Sequence, residues 1–158
     1  MSAPDQIIAQ FYRAFKALDG DAMAACYHDE ITFTDPAFGT LQGDEAKNMW
    51  RMLCQSQLGK DFTVTYRDIQ QTYEAGSAVW ETHYLFSKTG RKVHNIVNAN
   101  FELKDGLIYT HTDKFDLHRW ATQTMGIKGY LLGWTSFFKR KLQQQTNAML
   151  TAFERSQE

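Results

Sequence analysis

Cysteine and proline are scarce in this 158-residue chain, and neither sign of charge is in excess. Two cysteines, Cys26 and Cys54, are too few to staple a small secreted scaffold. The two prolines, Pro4 and Pro36, leave no proline-rich linker, and there is no internal repeat or low-complexity tract. Lys and Arg number 17 against 18 Asp and Glu, a formal net charge of −1, which argues against nucleic acid or an anionic membrane as the main partner. No apolar run approaches the ~20 residues of a membrane span. The opening Met-Ser-Ala-Pro-Asp-Gln has neither the basic start nor the apolar stretch of a secretion signal, so a cytoplasmic protein is expected. What is abundant is carbon: 43% of residues are hydrophobic and 14% aromatic, which suits a core or cavity lined with rings. The length fits one domain.

Hydrophobic spacing predicts the elements. Ile7, Ile8, Phe11, Phe15 and Leu18 recur at helical intervals, with Pro4 and Asp5 as first-turn residues, and Asp19-Gly20 ends that helix. Asp21 is the expected cap of a shorter helix holding Met23, Cys26 and Tyr27. A strand over 31–35 leads through a loop over 36–43 to a third helix, capped by Asp44, with Ala46, Met49, Trp50 and Leu53 on its apolar face. Four strands are expected at about 62–69, 78–87, 93–104 and 107–116, with hairpin turns at Thr89-Gly90 and Asp105-Gly106. The remainder reads as a short helix over 117–125, a glycine-punctuated apolar stretch over 126–134, and a helix over 135–153. That last helix carries Phe138, Leu142, Met149, Leu150 and Phe153 as its apolar stripe. Helix, helix, strand, helix and four antiparallel strands make an α+β domain, with helices on one face of the sheet.

Period-two alternation assigns strand faces. Ala78, Trp80, Thr82, Tyr84 and Phe86 face the core, as do Asn95, Val97, Ala99, Phe101 and Leu103; Glu81, His83 and His94 face outward. In the last strand Leu107, Tyr109, His111, Asp113 and Phe115 share a face. Asp35 follows Ile31 and Phe33 on one face and precedes Pro36, which holds it in an extended conformation. A carboxylate on a core-facing strand must be paired, wet or functional, because burying it alone is costly.

These residues carry a resemblance. Phe11-Tyr-Arg-Ala-Phe, Asp19-Gly-Asp21, Tyr27-His-Asp-Glu-Ile-Thr-Phe-Thr-Asp35-Pro36, Gly39, Leu-Gln-Gly43 and Glu45-Ala46, in this order, resemble the SnoaL-like proteins of the nuclear transport factor 2-like superfamily. That superfamily includes ketosteroid isomerase, scytalone dehydratase and polyketide cyclases. Asp105-Gly-Leu-Ile-Tyr-Thr-His-Thr-Asp113-Lys-Phe-Asp116 is similar to its last strand. The resemblance covers about residues 5–117 and implies a curved antiparallel sheet wrapped around N-terminal helices into a cone, with a mostly apolar cavity at one end. A cone domain over 1–117 would then carry a helical extension over 118–158 packed on it. The resemblance also implies a homodimer through the sheet's outer face. It places Asp35 at the general-base position of ketosteroid isomerase. The two oxyanion donors of that enzyme fall on Phe11 and Ala99, which cannot donate, so steroid-type isomerisation by that route is not expected.

The candidate catalytic residues are Asp35, His111 and Asp113. Asp35 is either a cavity base or a turn carboxylate satisfied by backbone N–H groups; His111 and Asp113 are either an acid–base pair or part of a buried polar network. No His-x-His or Glu-x-x-His spacing supports a metal, and no cofactor is expected. Candidate ligand-contacting residues are Phe11, Phe33, Trp50, Trp80, Tyr84, Asn95 and Phe101. The Lys139-Arg-Lys141 cluster could touch acidic lipid or a partner but reads first as a solvated face, and 130–134 reads as a lid or interface. The leading expectation is an acid–base enzyme (isomerase, dehydratase, cyclase or epoxide hydrolase) acting on a small hydrophobic molecule. A non-catalytic binder of an apolar ligand and a dimeric interaction module are the alternatives.

Overall fold

The computed structural model describes residues 6–158, so the expected first-turn residues Pro4 and Asp5 lie outside the described residues. Twelve elements follow in order: α1 (Ile7–Lys16), α2 (Gly20–Ala25), β1 (Tyr27–Asp35), β2 (Gly39–Gln42), α3 (Asp44–Gln57), β3 (Thr63–Gln71), β4 (Ala75–Leu85), β5 (Lys92–Lys104), β6 (Leu107–Lys114), α4 (Leu117–Met125), α5 (Ile127–Leu132) and α6 (Ser136–Ser156). The six strands form one curved sheet in the order β2-β1-β6-β5-β4-β3. Every pairing is antiparallel except β1 with β6, which run parallel.

The inner face is built as alternation predicts for β4 and β5. Ala78, Trp80 and Thr82 are buried on β4, and Val97, Ala99 and Phe101 on β5, while His83, Asn98 and Asn100 are exposed. Against this face α1 sets Ile8, Phe11, Tyr12 and Phe15, and α3 sets Met49 and Trp50. The rings meet mostly edge to face, as Phe11 and Phe15 do on Trp50 at 5.4 and 5.1 Å; such pairs add about 0.5–1.5 kcal/mol each beyond area burial. The β5–β6 turn has Asp105 and Gly106 both at positive φ (55° and 77°), the conformation a two-residue hairpin of right-handed twist requires.

Four local readings are corrected. Asp19, not Asp21, caps α2, accepting the Ala22 N–H at 3.0 Å. Asp44 is the first residue of α3, after Gly43, where its charge still complements the helix dipole. Residues 39–42, expected in a loop, pair with β1 as β2. Tyr27 opens β1 instead of closing α2. In β6 the register slips between Leu103–Ile108 and Glu102–Thr110, and this bulge changes the inward set. Ile108 is buried, while Tyr109 turns outward to His28 (ring centroids 5.4 Å) beneath the Lys104 ammonium. From His111 onward the expected phase is restored, and His111 and Asp113 are both buried.

Among the described residues no helix is long and apolar enough to cross a membrane. Beyond the sheet, α6 runs back across the molecule and stitches the turn after β1. Gln143 Nε2 donates to the Pro36 carbonyl (3.1 Å), Thr146 Oγ1 to Ala37 (2.8 Å) and Asn147 Nδ2 to Phe38 (2.9 Å). Asn48 on α3 donates to Glu154 near the helix's far end.

Candidate active-site cavity

A cavity of about 270 Å³ opens between α3, the inner face of β4–β6 and α6. Its wall is mainly apolar, with Phe15, Trp50, Trp80, Phe115, Leu142 and Met149 among the larger side chains. Its polar lining includes Asp35, Asp113, Thr82, Tyr84 and Asn95. A larger groove of about 1200 Å³ crosses the outer face beside His83, His94 and His118. It is open to solvent and has no buried carboxyl on its wall, whereas the inner cavity has both Asp35 and Asp113 on its wall.

Asp35 owes its place to strand pairing. In the parallel pair Phe33 sits opposite His111 and Thr34 opposite Thr112, so the next step along both strands brings Asp35 beside Asp113. Neighbouring strands lie roughly 5 Å apart, so the two carboxyl groups share one patch of wall. Asp35 Oδ1 accepts the N–H groups of Ala37 (3.0 Å) and Phe38 (2.7 Å), the two carbonyls of which α6 holds from the other side. The carboxyl therefore organises its turn and also faces the cavity. The two N–H bonds favour the ionised form, but burial outweighs them and Asp113 adds repulsion, so the carboxyl is pushed up to about 7.

Behind Asp113 lies a string of buried hydrogen bonds. His111 Nε2 is 2.8 Å from Asp113 Oδ1, His111 Nδ1 is 2.7 Å from Tyr27 Oη, and Trp50 Nε1 donates to Tyr27 Oη at 2.8 Å. Trp80 Nε1 donates to Asp113 Oδ1 at 3.4 Å. One arrangement of protons satisfies every member. The indole of Trp50 donates to the tyrosine oxygen, the tyrosine O–H donates to Nδ1, and Nε2–H donates to the carboxylate. Burial, with the charge of Asp113 second, holds the Tyr27 phenol well above its usual range, so it keeps the proton this arrangement needs. His111 is 0% exposed and packed against Phe11, Phe33 and Phe101 at ring distances of 5.4, 5.0 and 4.4 Å. It orients Asp113 from behind and does not reach the cavity wall.

Of the expected ligand-contacting residues, Trp50, Trp80, Tyr84 and Asn95 line the cavity, whereas Phe11, Phe33 and Phe101 pack around the His111 ring in the core. Tyr84 Oη accepts the indole N–H of Trp120 on α4 at 2.8 Å, which fixes the phenol at the rim. Thr82 Oγ1 is buried with no hydrogen-bond partner and lies on the cavity wall beside its β5 neighbour Asn95. A hydroxyl left bare in this way costs about 1–3 kcal/mol unless something in the cavity satisfies it. Three contributors escaped sequence reasoning. Tyr27 reads as helix, and an irregular register between Tyr27 and Thr32 interrupts the alternation that would join it to Ile31 and Phe33. Thr82 was placed inward by alternation but not recognised as polar lining. The α6 residues Leu142, Gln145 and Met149 carry no local sign of a cavity; only the fold-back of α6 supplies it. Among the described residues, no group of three His, Cys, Asp or Glu side chains is placed to hold a metal ion.

No curated protein matches the chain in sequence. Among solved structures it is similar to an LEH-like epoxide hydrolase of M. tuberculosis, at 22% identity over 80% of this chain and 88% of that one, with a TM-score of 0.57. It is also similar to a nuclear transport factor 2-like protein of unknown function from Burkholderia pseudomallei K96243, at 16% identity over 79% and 99% of the two chains, with a TM-score of 0.65. A third likeness is to a Xanthomonas campestris protein assigned as a polyketide cyclase, at 20% identity over 74% and 93%, with a TM-score of 0.58. At such identities these likenesses speak for the fold alone. The SnoaL-like domain family matches residues 8–111, about two thirds of the sequence and the whole stretch from α1 to His111, and the chain belongs to that family.

Proposed function

We propose that the cavity is the active site of a small acid–base enzyme that turns over a hydrophobic carbonyl, hydroxyl or epoxide compound by isomerisation, dehydration, cyclisation or epoxide opening. The observation that carries this reading is the carboxyl of Asp35, pushed up to about 7 by burial on an apolar wall beside Asp113. A group that titrates near the working pH is suited to take up a proton and give it back. Asp35 acts as the base, and Asp113, held at a fixed angle by His111 and Trp80, acts as an orienting group. His111 is a positioning residue in this scheme. Thr82, Tyr84 and Asn95 supply hydrogen bonds to the polar end of the substrate, and Trp50, Trp80 and Phe15 enclose its apolar body. A volume of about 270 Å³ lies just under the ~300–1,000 Å³ usual for ligand pockets, which favours a compact compound. The helices over 118–158 belong to the same working unit, since α6 supplies part of the wall. A homodimer through the outer sheet face, working in the cytoplasm, completes the reading.

A second reading has its own support. Both Oδ1 atoms, of Asp35 and of Asp113, already accept protein hydrogen bonds, as a non-catalytic binding site for an apolar ligand would have them. The Asp35→Asn variant separates the two. Ligand co-purified with the protein and identified by mass spectrometry supplies the compound class, and related compounds are then assayed with wild type and variant. Turnover by wild type that collapses in the variant supports the enzyme; tight binding by both proteins, with no turnover by wild type, supports the binder.

A further inference from the structure

The amphipathic order of α5 is inverted. Gly129 and Gly133, four residues apart and so on one helix face, press against α4: a Cβ on Gly129 would stand 1.9 Å from the Ala121 carbonyl oxygen, and one on Gly133 2.5 Å from the Ala121 Cβ. With the small residues turned inward, the large apolar ones are turned out. Ile127 is 75% exposed and Trp134 72%, and Tyr130, Leu131, Leu132 and Phe137 are all more than half exposed. Six large hydrophobic side chains thus stand in water within eleven residues, in a molecule whose other exposed ones are scattered singly. Singles need no explanation, whereas a contiguous patch does.

Charge says what covers it. Between Asp116 and Glu154 the sequence has no acidic residue, yet it has Arg119, Lys128, Lys139, Arg140 and Lys141. All five are exposed. That leaves twelve of the 17 Lys and Arg to set against all 18 acids elsewhere, so the near-neutral total conceals a basic, acid-free segment. Phe137, Arg140 and Lys141, at i, i+3 and i+4, share a face of α6, and the Lys141 ammonium lies 6.0 Å from the centre of the Phe137 ring. A second copy docking here by two-fold symmetry would set this cationic surface against itself. A bilayer with anionic headgroups offers the complement to both parts, acyl chains for the side chains of Leu131 and Trp134 and phosphates or carboxylates for the lysines and arginine.

We infer that the α5–α6 surface, residues 127–141, seats the protein on an anionic lipid membrane as an interfacial, non-spanning anchor. Ile127, Leu131 and Trp134 enter the headgroup boundary, Tyr130 and Trp134 occupy the depth where amphipathic rings settle, and Lys128, Arg140 and Lys141 lie over the lipid charges. The inference does not depend on catalysis in the cavity.

The test uses the full chain and flotation with vesicles of phosphatidylcholine, alone or mixed with phosphatidylserine. Wild type is expected to float with the mixed vesicles and not with phosphatidylcholine alone. The double variant Arg140→Gln/Lys141→Gln is expected to weaken binding about thirtyfold, which is about 1 kcal/mol for each cation removed near the surface. Leu131→Ser/Trp134→Ala is expected to abolish it. All four positions are exposed, so both variants should fold, and circular dichroism checks this. Absence of flotation with mixed vesicles overturns the proposal. So does binding that is indifferent to phosphatidylserine and to the loss of Arg140 and Lys141. Self-association in solution that disappears in Leu131→Ser/Trp134→Ala, without vesicle binding by wild type, also overturns it and assigns the patch to a second copy.

Discussion

The β1–β6 strand pair and the α5–α6 corner are opposites. On the strand pair, ionisable groups are drawn inside among aromatic rings: Asp113, His111 and Tyr27 are buried, and Asp35 faces an apolar cavity. At the corner, aromatic and aliphatic side chains are turned outside among cations. Both arrangements raise the free energy of the isolated fold, and both are held by close backbone contact. The strand pair is fixed by ladder hydrogen bonds and by α6 on the following turn, the corner by glycines pressed on α4. Structure that costs stability without a structural return is where function is to be sought. The contrast implies that polar changes inside and apolar changes outside should act on different properties, and substitutions can break it.

The largest effect is expected at Asp35. Under the acid–base reading, Asp35→Asn lowers kcat about 10²–10⁴-fold, the usual worth of a positioned base. The wild-type kcat/KM should rise with pH to a plateau, with a midpoint near 7, because only the ionised carboxylate accepts a proton. The same group must leave a mark on stability. Its folded value of about 7 exceeds the ordinary 3.8, so the native state binds the proton more tightly than the unfolded chain. The resulting stabilisation is complete below pH ~4 and is lost as pH rises through about 7, by at most about 4 kcal/mol. Asp35→Asn should remove that slope, leaving a variant more stable than wild type at pH 8 by urea unfolding. A variant with unchanged pH dependence would mean that the carboxyl is better hydrated than the cavity wall suggests.

Next in size is the polar string. Tyr27→Phe removes one oxygen and strands two buried partners, the indole N–H of Trp50 and Nδ1 of His111. At about 1–3 kcal/mol for each unsatisfied group, a loss of roughly 2–6 kcal/mol is expected in denaturant unfolding. Because His111 orients Asp113, kcat should fall while KM changes little. A purely structural string would lower stability and leave kcat alone.

Much of this was legible in the sequence, and the failures share a cause. Alternation placed Trp80, Thr82, Val97 and Phe101 correctly because β4 and β5 run unbroken through the sheet centre. It misplaced Tyr109 because a bulge inserts a residue without a marker, and it missed Tyr27 because one turn of helix and the start of a strand look alike over so few residues. The pairing of Asp35 with Asp113 rests on strands some eighty residues apart running parallel, which no local pattern encodes. Composition hides position in the same way: a net charge of −1 is an average, and averaging erases the acid-free stretch between Asp116 and Glu154.

A smaller effect tests the corner from its inner side. Gly129→Ala would drive a methyl group into the Ala121 carbonyl, so α5 must lift from α4, at about 1–3 kcal/mol for overpacking. Hydrogen exchange should accelerate in α5 and α4 and remain unchanged in the cavity strands.

The smallest effect is the most telling. Leu131→Ser on the exposed face of α5 should change the unfolding free energy by no more than about 0.5 kcal/mol, because that side chain is already in water when the chain is folded. Truncation of Phe33, buried between Trp50 and His111, belongs with the core truncations that cost about 3–5 kcal/mol. Thermal melts of Leu131→Ser and Phe33→Ala side by side give that ratio directly. If Leu131→Ser destabilises the isolated protein as a core residue would, the side chain is covered in solution, and the corner is packed rather than presented.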